Sequence, residues 1–322
     1  MLDRTALPWG NVSAETKNPQ SAGLVQSTSL CNNAQVPPFH IRPSDLIRHE
    51  AMHENKYPLI TDPRDPSFLV LRSLQTERSR SQTGLYLIEG IRHVARAIEQ
   101  NAPLQLLFVD PSVLSNPFGR RLARRIRLSG VPGIRLAPQL YRELTLAAEP
   151  QGIGAMIRQR WVPLEEVKLT RDSFLLAVES VDLPGNLGTI IRTAEAAGVT
   201  GIILLGSHAD PWDPACVRAS MGSLFSPRLV RCTIREFAHW ARSSGVTIVG
   251  SSPNGLLDYK AFRCRWPAVL LIGSERQGLS QQLIEASNFM VRIPIRGQCD
   301  SINAAVAAGV LLFEMSSQRR AS

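Results

Sequence analysis

The sequence predicts an α/β protein built from two sheets, on three observations. Short runs rich in Val, Ile and Leu alternate with amphipathic segments of helical period through most of the chain. In the second half those runs are apolar on both faces, as in strands of a largely parallel sheet covered on both sides. Between the halves, the polar stretch "VPLEEVKLTRDS" reads as a linker, assigned to 163–172.

Residues 1–57 are rich in Ser, Asn, Gln and Pro and lack sustained periodicity, so an irregular or disordered extension is expected there, with one short helix at "PSDLIRHEAMHE". The first α/β domain is expected over 58–162. "GLYLIEG" supplies a strand, "IRHVARAIEQN" an amphipathic helix stopped by Asn101, and "LQLLFVD" a second strand. "PFGRRLARRIRLSG" follows as a basic helix, "IRLAPQLYRELTLA" as a strand leading into a helix, and "GIGAMIRQRW" closes the unit. The second domain is expected over 173–322. Its strands are "FLLAVES", "GIILLG", "VTIVGS", "AVLLIGSE" and "FMVRIPI"; its helices are 187–197, one near "DPACVRASMGSLF", and one from Ser301 to the end. No internal repeat is evident.

With 44% hydrophobic and 20% charged residues, each half has enough apolar material for a core. A formal charge of +9 points to a polyanionic partner, nucleic acid ahead of an acidic membrane surface. The five cysteines, Cys31, Cys216, Cys232, Cys264 and Cys299, form no CxxC pair and no zinc-type cluster, so neither a metal site nor a disulfide framework is expected. The longest apolar stretch, "AAVAAGVLLFEM", is too short for a membrane span, and the N-terminus has no secretory h-region, so the cytoplasm is the expected compartment.

Three segments carry chemistry. In "SVDLPGNLGTIIRTAEAAGV", a strand meets a turn shaped by Pro184 and Gly185, with Asn186 as the expected helix N-cap and Gly198 as the stop. Ile190, Ile191, Ala194 and Ala197 form its buried face, and Arg192 is either a surface residue or a cation held for an anionic ligand. In "LLIGSERQGLS", Gly273 and Gly278 at a strand's C-terminal end permit close approach of a ligand to the backbone, with Glu275 between them. In "IPIRGQCDSINAAVAAGVLLFE", a strand ends in a polar loop, Ser301 is the expected cap, and Asn303 is expected in the first turn. The small residues Ala304 to Gly309 suit close helix packing, either internal or across a dimer.

Each segment alone admits a bland structural explanation; together, in this order, they resemble the SpoU/TrmH family of RNA ribose 2′-O-methyltransferases. "PGNLGTIIRTAEAAG", "IGSERQGL" and "IPIRGQCDSINAAVAAGVLLFE" are similar to the family's three motifs, and "DPWDPACVRASMGSLF" to its intervening region. "LYLIEGIRHVARAI" is similar to the substrate-binding domain that many members carry. The resemblance implies a SPOUT methyltransferase domain threaded as a trefoil knot, preceded by a small L30e-like RNA-binding domain. It also implies a homodimer with the site shared across its interface, S-adenosylmethionine as cofactor, and no metal requirement.

By resemblance, Gly273, Ile293, Ser301 and Ile302 would hold the cofactor. Arg192 would be catalytic, with stabilisation of the developing alkoxide or orientation of an RNA phosphate preferred and a direct base role left open. Asn186 would position Arg192 or the ribose, Glu275 would fix the arginine or the RNA, and Ser301 and Asn303 would complete the site. One departure from the pattern is Ile302, where leucine is more usual, a volume-conserving change. On the basic helix, Arg120, Arg121, Arg124, Arg125 and Arg127 offer a surface to RNA phosphates, though a merely solvated face gives the same pattern. The added domain favours ribosomal RNA over tRNA. The rivals are a non-catalytic RNA-binding protein on the same fold and a nucleotide-dependent oxidoreductase; the latter lacks GxGxxG at its first strand–helix turn.

Overall fold

The computed structural model describes residues 57–206 and 210–321. The expected extension, apart from Tyr57, and the short helix at "PSDLIRHEAMHE" lie outside the described residues.

The N-terminal domain begins with β1 (Leu59–Ile60), α1 (Pro66–Ser73) and α2 (Glu77–Thr83), followed by β2 (Leu85–Glu89) and α3 (Ile91–Glu99). Then come β3 (Leu104–Val109), α4 (Pro117–Leu128), β4 (Gly133–Leu136), α5 (Pro138–Leu144) and β5 (Ile153–Arg158). Its sheet has the order β1-β4-β3-β5-β2 and is mixed: β1, β4 and β3 run parallel, while β5 is antiparallel to both β3 and β2. Helices α1 and α2 were not anticipated from periodicity. Both are short and start on local caps, the Asp65 carboxylate accepting from Ser67 N and the Thr76 hydroxyl from Ser79 N. Asn101 ends the α3 region in a left-handed conformation, φ 50°.

The C-terminal domain runs β6 (Phe174–Glu179), α6 (Pro184–Ala196), β7 (Gly201–Leu205), α7 (Pro214–Ser220), β8 (Arg228–Cys232) and α8 (Ile234–Ser244). It continues with β9 (Thr247–Ser251), β10 (Leu257–Asp258), β11 (Ala268–Ile272), α9 (Gln281–Ala286), β12 (Phe289–Arg292) and α10 (Ala304–Ala321). The sheet order is β10-β12-β9-β11-β6-β7-β8, parallel throughout. Burial on both faces explains why β6, β7 and β11 read as unbroken apolar runs. Edge strand β8, "RLVRC", was not anticipated because two arginines interrupt its pattern. Helix α8 follows it on a Thr233/Glu236 capping box. The expected linker contains a single 3₁₀ turn, Leu164–Glu166, whose Leu164 is buried against the C-terminal sheet.

A single apolar cluster crosses between the sheets. It contains Tyr86, Ile157 and Val94 from the first domain and Phe174, Ile190 and Trp212 from the second. Trp212 packs 4.5 Å from the Tyr86 ring and 5.5 Å, edge-on, from Trp161. Over this seam the Arg80 guanidinium, only 2% exposed, pairs with Asp210 at 2.8 Å and Asp213 at 3.3 Å. It also donates to the Leu74 and Gln75 carbonyls. Arg80→Ala removes all four partnerships and leaves two partly buried carboxylates without their counter-charge. A loss of about 2–3 kcal/mol is expected, below the full cost of breaking a dry pair because Asp213 keeps some water; urea denaturation of the full chain measures it.

Candidate active site

The site lies at the C-terminal ends of the strands of the parallel sheet, where loops after β6, β11 and β12 meet. Strand β6 delivers Glu179, whose buried carboxylate accepts from Ser280 N at 2.7 Å and so ties the first loop to the second. Ser180 then turns the chain with φ 51°, a left-handed conformation that surrounding contacts must hold in a residue other than glycine.

Helix α6 starts earlier than expected, with Pro184 at its first position and Leu183 preceding it without a side-chain cap. Asn186 is therefore not the N-cap but lies inside the first turn, its side chain free for another use. Its Nδ2 donates to Glu275 Oε1 at 2.7 Å. Its Oδ1 accepts from Asn303 Nδ2 at 3.3 Å. Glu275 Oε2 also accepts from Asp182 N at 3.4 Å.

Helix α10 likewise starts at Ala304 rather than Ser301, and its cap is Asn303: Oδ1 accepts from Ala305 N at 2.8 Å and Val306 N at 3.3 Å. A serine two residues farther from the helix cannot reach those amides, which is why Ser301 stands exposed in the loop. The three motifs are thus joined by one relay, Glu275 to Asn186 to Asn303 to the amino end of α10. A carboxylate at one end and helix N–H groups at the other fix the orientation of both amides in between.

Gly273 is where the backbone needs room. A Cβ there would lie 2.2 Å from the Gly278 carbonyl carbon and 2.4 Å from Leu279 N, because the loop folds back on the end of β11. Ser274 and Gly278 exchange backbone hydrogen bonds across that fold at 3.0 and 3.1 Å, with Gly278 at φ 67°. Ile293 and Ile302, at the two ends of the third loop, are half-buried. A backbone cradle with apolar side chains suits an adenosyl group, whose ring stacks on hydrocarbon and whose edges bond to main-chain groups.

Arg192 is on α6 but not in the relay. It is exposed and has no hydrogen-bond or ion-pair partner among the described residues. Glu275 therefore bonds Asn186 and not the arginine, one of the two partners, arginine or RNA, that the resemblance implies for it. Six residues separate Arg192 from Asn186, which is about 120° around and ~9 Å along a helix. The buried side of α6 is as expected, with Leu187 added, and Gly188 permits contact with α7: a Cβ there would sit 2.3 Å from the Cys216 carbonyl oxygen. Helix α10 packs on α6, so its small residues serve packing within the chain.

Helix α6 is held from outside the sheet by the N-terminal domain as well as by its own. Arg96 of α3 pairs with Glu195 at 2.9 Å, and Ser223 and Ser226 hydroxyls donate to the same carboxylate at 2.6 and 2.9 Å. Burial pushes the Glu195 carboxyl up, but these hydrogen bonds and the Arg96 charge outweigh it and hold it below the usual range. Glu179, Asp182 and Glu195 are site-building residues that sequence reasoning missed. Only Glu179 left a trace, as a carboxylate ending an otherwise apolar strand.

The five arginines of α4 do not all line one cleft. Arg120, Arg124 and Arg127 line a cleft of about 310 Å³, whereas Arg121 and Arg125 are exposed outside it. Among the described residues no group of acidic, histidine or cysteine side chains could hold a metal ion, and no helix is long and apolar enough to cross a membrane.

Comparison with known proteins agrees with this geometry. The model of the SpoU rRNA Methylase family matches residues 173–313, and that of the MRM3-like substrate binding domain matches 69–155. The chain is 33% identical over 253 residues to the 23S rRNA (uridine(2479)-2′-O)-methyltransferase of Streptomyces viridochromogenes, covering 76% of this chain and 87% of that protein. It is 27% identical over 244 residues to the 23S rRNA (guanosine(2553)-2′-O)-methyltransferase RlmP of Bacillus subtilis (strain 168), covering 76% and 93%. The crystal structure of an AdoMet-bound rRNA methyltransferase from Sinorhizobium meliloti superposes with a TM-score of 0.75 at 32% identity, covering 81% of this chain and 98% of that one.

If the relay acts as a unit, Glu275→Ala and Asn186→Ala will be non-additive, with a coupling of about 0.5–3 kcal/mol in a double-mutant cycle of unfolding free energies. Asn303→Ala should cost about 1 kcal/mol through loss of the α10 cap.

Proposed function

We propose, because the chain belongs to the SpoU/TrmH family of RNA 2′-O-methyltransferases and carries an MRM3-like substrate-binding domain, that its site residues act as follows. The activity is S-adenosylmethionine-dependent methylation of a ribose 2′-hydroxyl in ribosomal RNA. S-adenosylmethionine, when bound, supplies a methyl group on a positively charged sulfur. The Gly273 cradle with Ile293, Ser301 and Ile302 holds it. The observation that carries this assignment is the close backbone fold at Gly273, where the loop returns against the end of β11 and leaves no room for a side chain.

A ribose hydroxyl is a weak nucleophile near neutral pH and must lose its proton as it attacks. Guanidinium groups keep their proton below pH ~12, so Arg192 serves as a cation. It stabilises the developing alkoxide and orients an RNA phosphate that can accept the proton. Asn186, held by Glu275, and Asn303 position the ribose. Ser301, exposed in the third loop, is free to bond ribose or cofactor.

Arg192 and the relay occupy different faces of α6, which supports a homodimer in which the arginine of one protomer completes the pocket of its partner. The exposed apolar side chains Leu183, Val306 and Phe313, on the loop before α6 and on α10, provide a surface for that contact. A trefoil knot is supported by the late strand β12, which inserts between the earlier β9 and β10. Gly255 allows the chain to cross there: its Cβ would lie 2.6 Å from the Val291 carbonyl carbon.

The N-terminal domain, over 58–162, presents the RNA, with the arginines of α4 contacting phosphates. The two named relatives act on a uridine and a guanosine, which fits a ribose site indifferent to the base. We place the enzyme in the cytoplasm with that RNA.

Arg192→Ala should abolish methyl transfer to unmodified ribosomal RNA while changing cofactor affinity by less than about threefold. Label transfer and calorimetric titration of the cofactor measure the two. A large loss of cofactor binding would contradict the assigned role, and label entering tRNA instead of ribosomal RNA would redirect the substrate.

A further inference from the structure

Outside the methylation site, the cavity beside α4 has a composition that the RNA-binding surface alone does not require. Four arginines converge on it: Arg120, Arg124 and Arg127 from one face of α4, at a spacing of four and three residues, and Arg135 from β4. Among the described residues no carboxylate lines it. The nearest acidic residue in sequence, Asp110, is buried, and its Oδ1 is taken up by the Ser112 N–H and hydroxyl. The inner wall is apolar, formed by Val109, Leu114 and Ala123, with the ring of Tyr57 across from them.

Each part of the cleft is anchored. Arg120 Nε donates to the Leu114 carbonyl at 2.8 Å, which sets the base of that side chain and leaves its outer N–H groups for other acceptors. Arg135 Nε donates to the Tyr57 carbonyl at 2.7 Å, and the Tyr57 hydroxyl to the Val131 carbonyl at 2.9 Å. The tyrosine ring lies on Gly133, where a Cβ would come within 2.4 Å of it. The glycine thus makes the seat for the ring. Burial pushes the Tyr57 phenol up to about 12, against the opposing pull of Arg127, so the ring carries no charge near neutral pH.

An apolar slot floored by an aromatic ring and rimmed by guanidinium groups matches one nucleotide: a base within, its phosphates on the rim. A duplex backbone is too broad for a recess of about 310 Å³ and would meet only the outer arginines. We propose that this cleft is a second RNA subsite, which takes a single unpaired nucleotide of the substrate at a distance from the ribose that is methylated. The inference rests on the RNA-methylating function above and assigns Tyr57 and Arg135 a part in it.

The test uses the full chain and two probes, a short single-stranded oligoribonucleotide and the duplex it forms with its complement. Wild type should bind the single strand more tightly than the duplex. Arg120→Ala/Arg124→Ala/Arg127→Ala should lose at least about tenfold on the single strand, abolish that preference, and lower the salt slope by about 2. Arg124→Glu, at an exposed position that anchors nothing, should show the same direction if the triple variant folds poorly. Tyr57→Ala should lose about tenfold with the slope unchanged, since stacking and not charge is removed. Arg121→Ala/Arg125→Ala should keep the single-strand preference. Equal losses in the Arg121/Arg125 and Arg120/Arg124/Arg127 variants would overturn the subsite in favour of a diffuse basic face, as would unchanged binding in Arg124→Glu or no wild-type preference. Failure of wild type to methylate ribosomal RNA, with oligonucleotide binding as described, would instead remove the function and leave the cleft standing.

Discussion

Asn186 holds the catalytic end of this molecule together because an amide both donates and accepts. The loops after β6, β11 and β12 approach one another only at the edge of a parallel sheet, where no backbone ladder joins them. One short hydrogen bond to Glu275 and one from Asn303 close that gap. Glu275 is acceptor only and the N–H groups of α10 are donors only, so the amides between them have a single satisfied arrangement. A hydroxyl or a second carboxylate at position 186 would break the direction of the relay. The same geometry explains why α6 begins on Pro184 without a polar cap: the residue that would have capped it is used across the site.

The relay would be of little use on a mobile helix, and α6 is restrained on every side. Its apolar face joins the cluster that spans both sheets, Gly188 brings α7 into contact with its backbone, and α10 packs along it. Arg96 then reaches from the N-terminal domain to Glu195, two turns beyond Asn186. With Arg80 on Asp210 and Asp213 and the Tyr86–Trp212–Trp161 cluster, the two domains share a continuous, partly charged seam. Preorganisation of this kind places a donor where charge develops without reorganisation at the moment of reaction.

Much of this was legible in the chain itself. Buried parallel strands announce themselves as apolar runs, so β6, β7, β9 and β11 and their order of alternation with helices could be read directly. Edge strand β8 could not, because its exposed face carries arginines, and neither could α1 and α2, which are too short for a period to show. The candidate site residues were named by motif, and two helix caps expected among them lie elsewhere. Cap residues look alike in sequence: Asn186 and Ser301 both have the right side chain near a helix start, and a shift of two or three residues decides which one reaches the free amides. The amide partner of Glu275 was equally hidden, since a carboxylate in a motif of its own points to a cation or to RNA until the fold brings Asn186 to it.

The face of α6 on which Arg192 stands has a further consequence for how substrate must arrive. Arg192 is exposed, so on the proposed assignment it costs nothing in desolvation before RNA binds and becomes strong only when RNA or a second protomer excludes water around it. Methyl transfer on the proposed assignment is therefore gated by assembly. On that assignment selection of the RNA precedes chemistry, and the relay reads no base: what Asn186 and Asn303 have left after bonding one another, Glu275 and α10 is assigned to the ribose. Recognition must come from a surface elsewhere, and the arginine-lined cleft of the N-terminal domain, rigidly joined to α6 through Arg96 and Glu195, is placed on the part of the chain that can supply it.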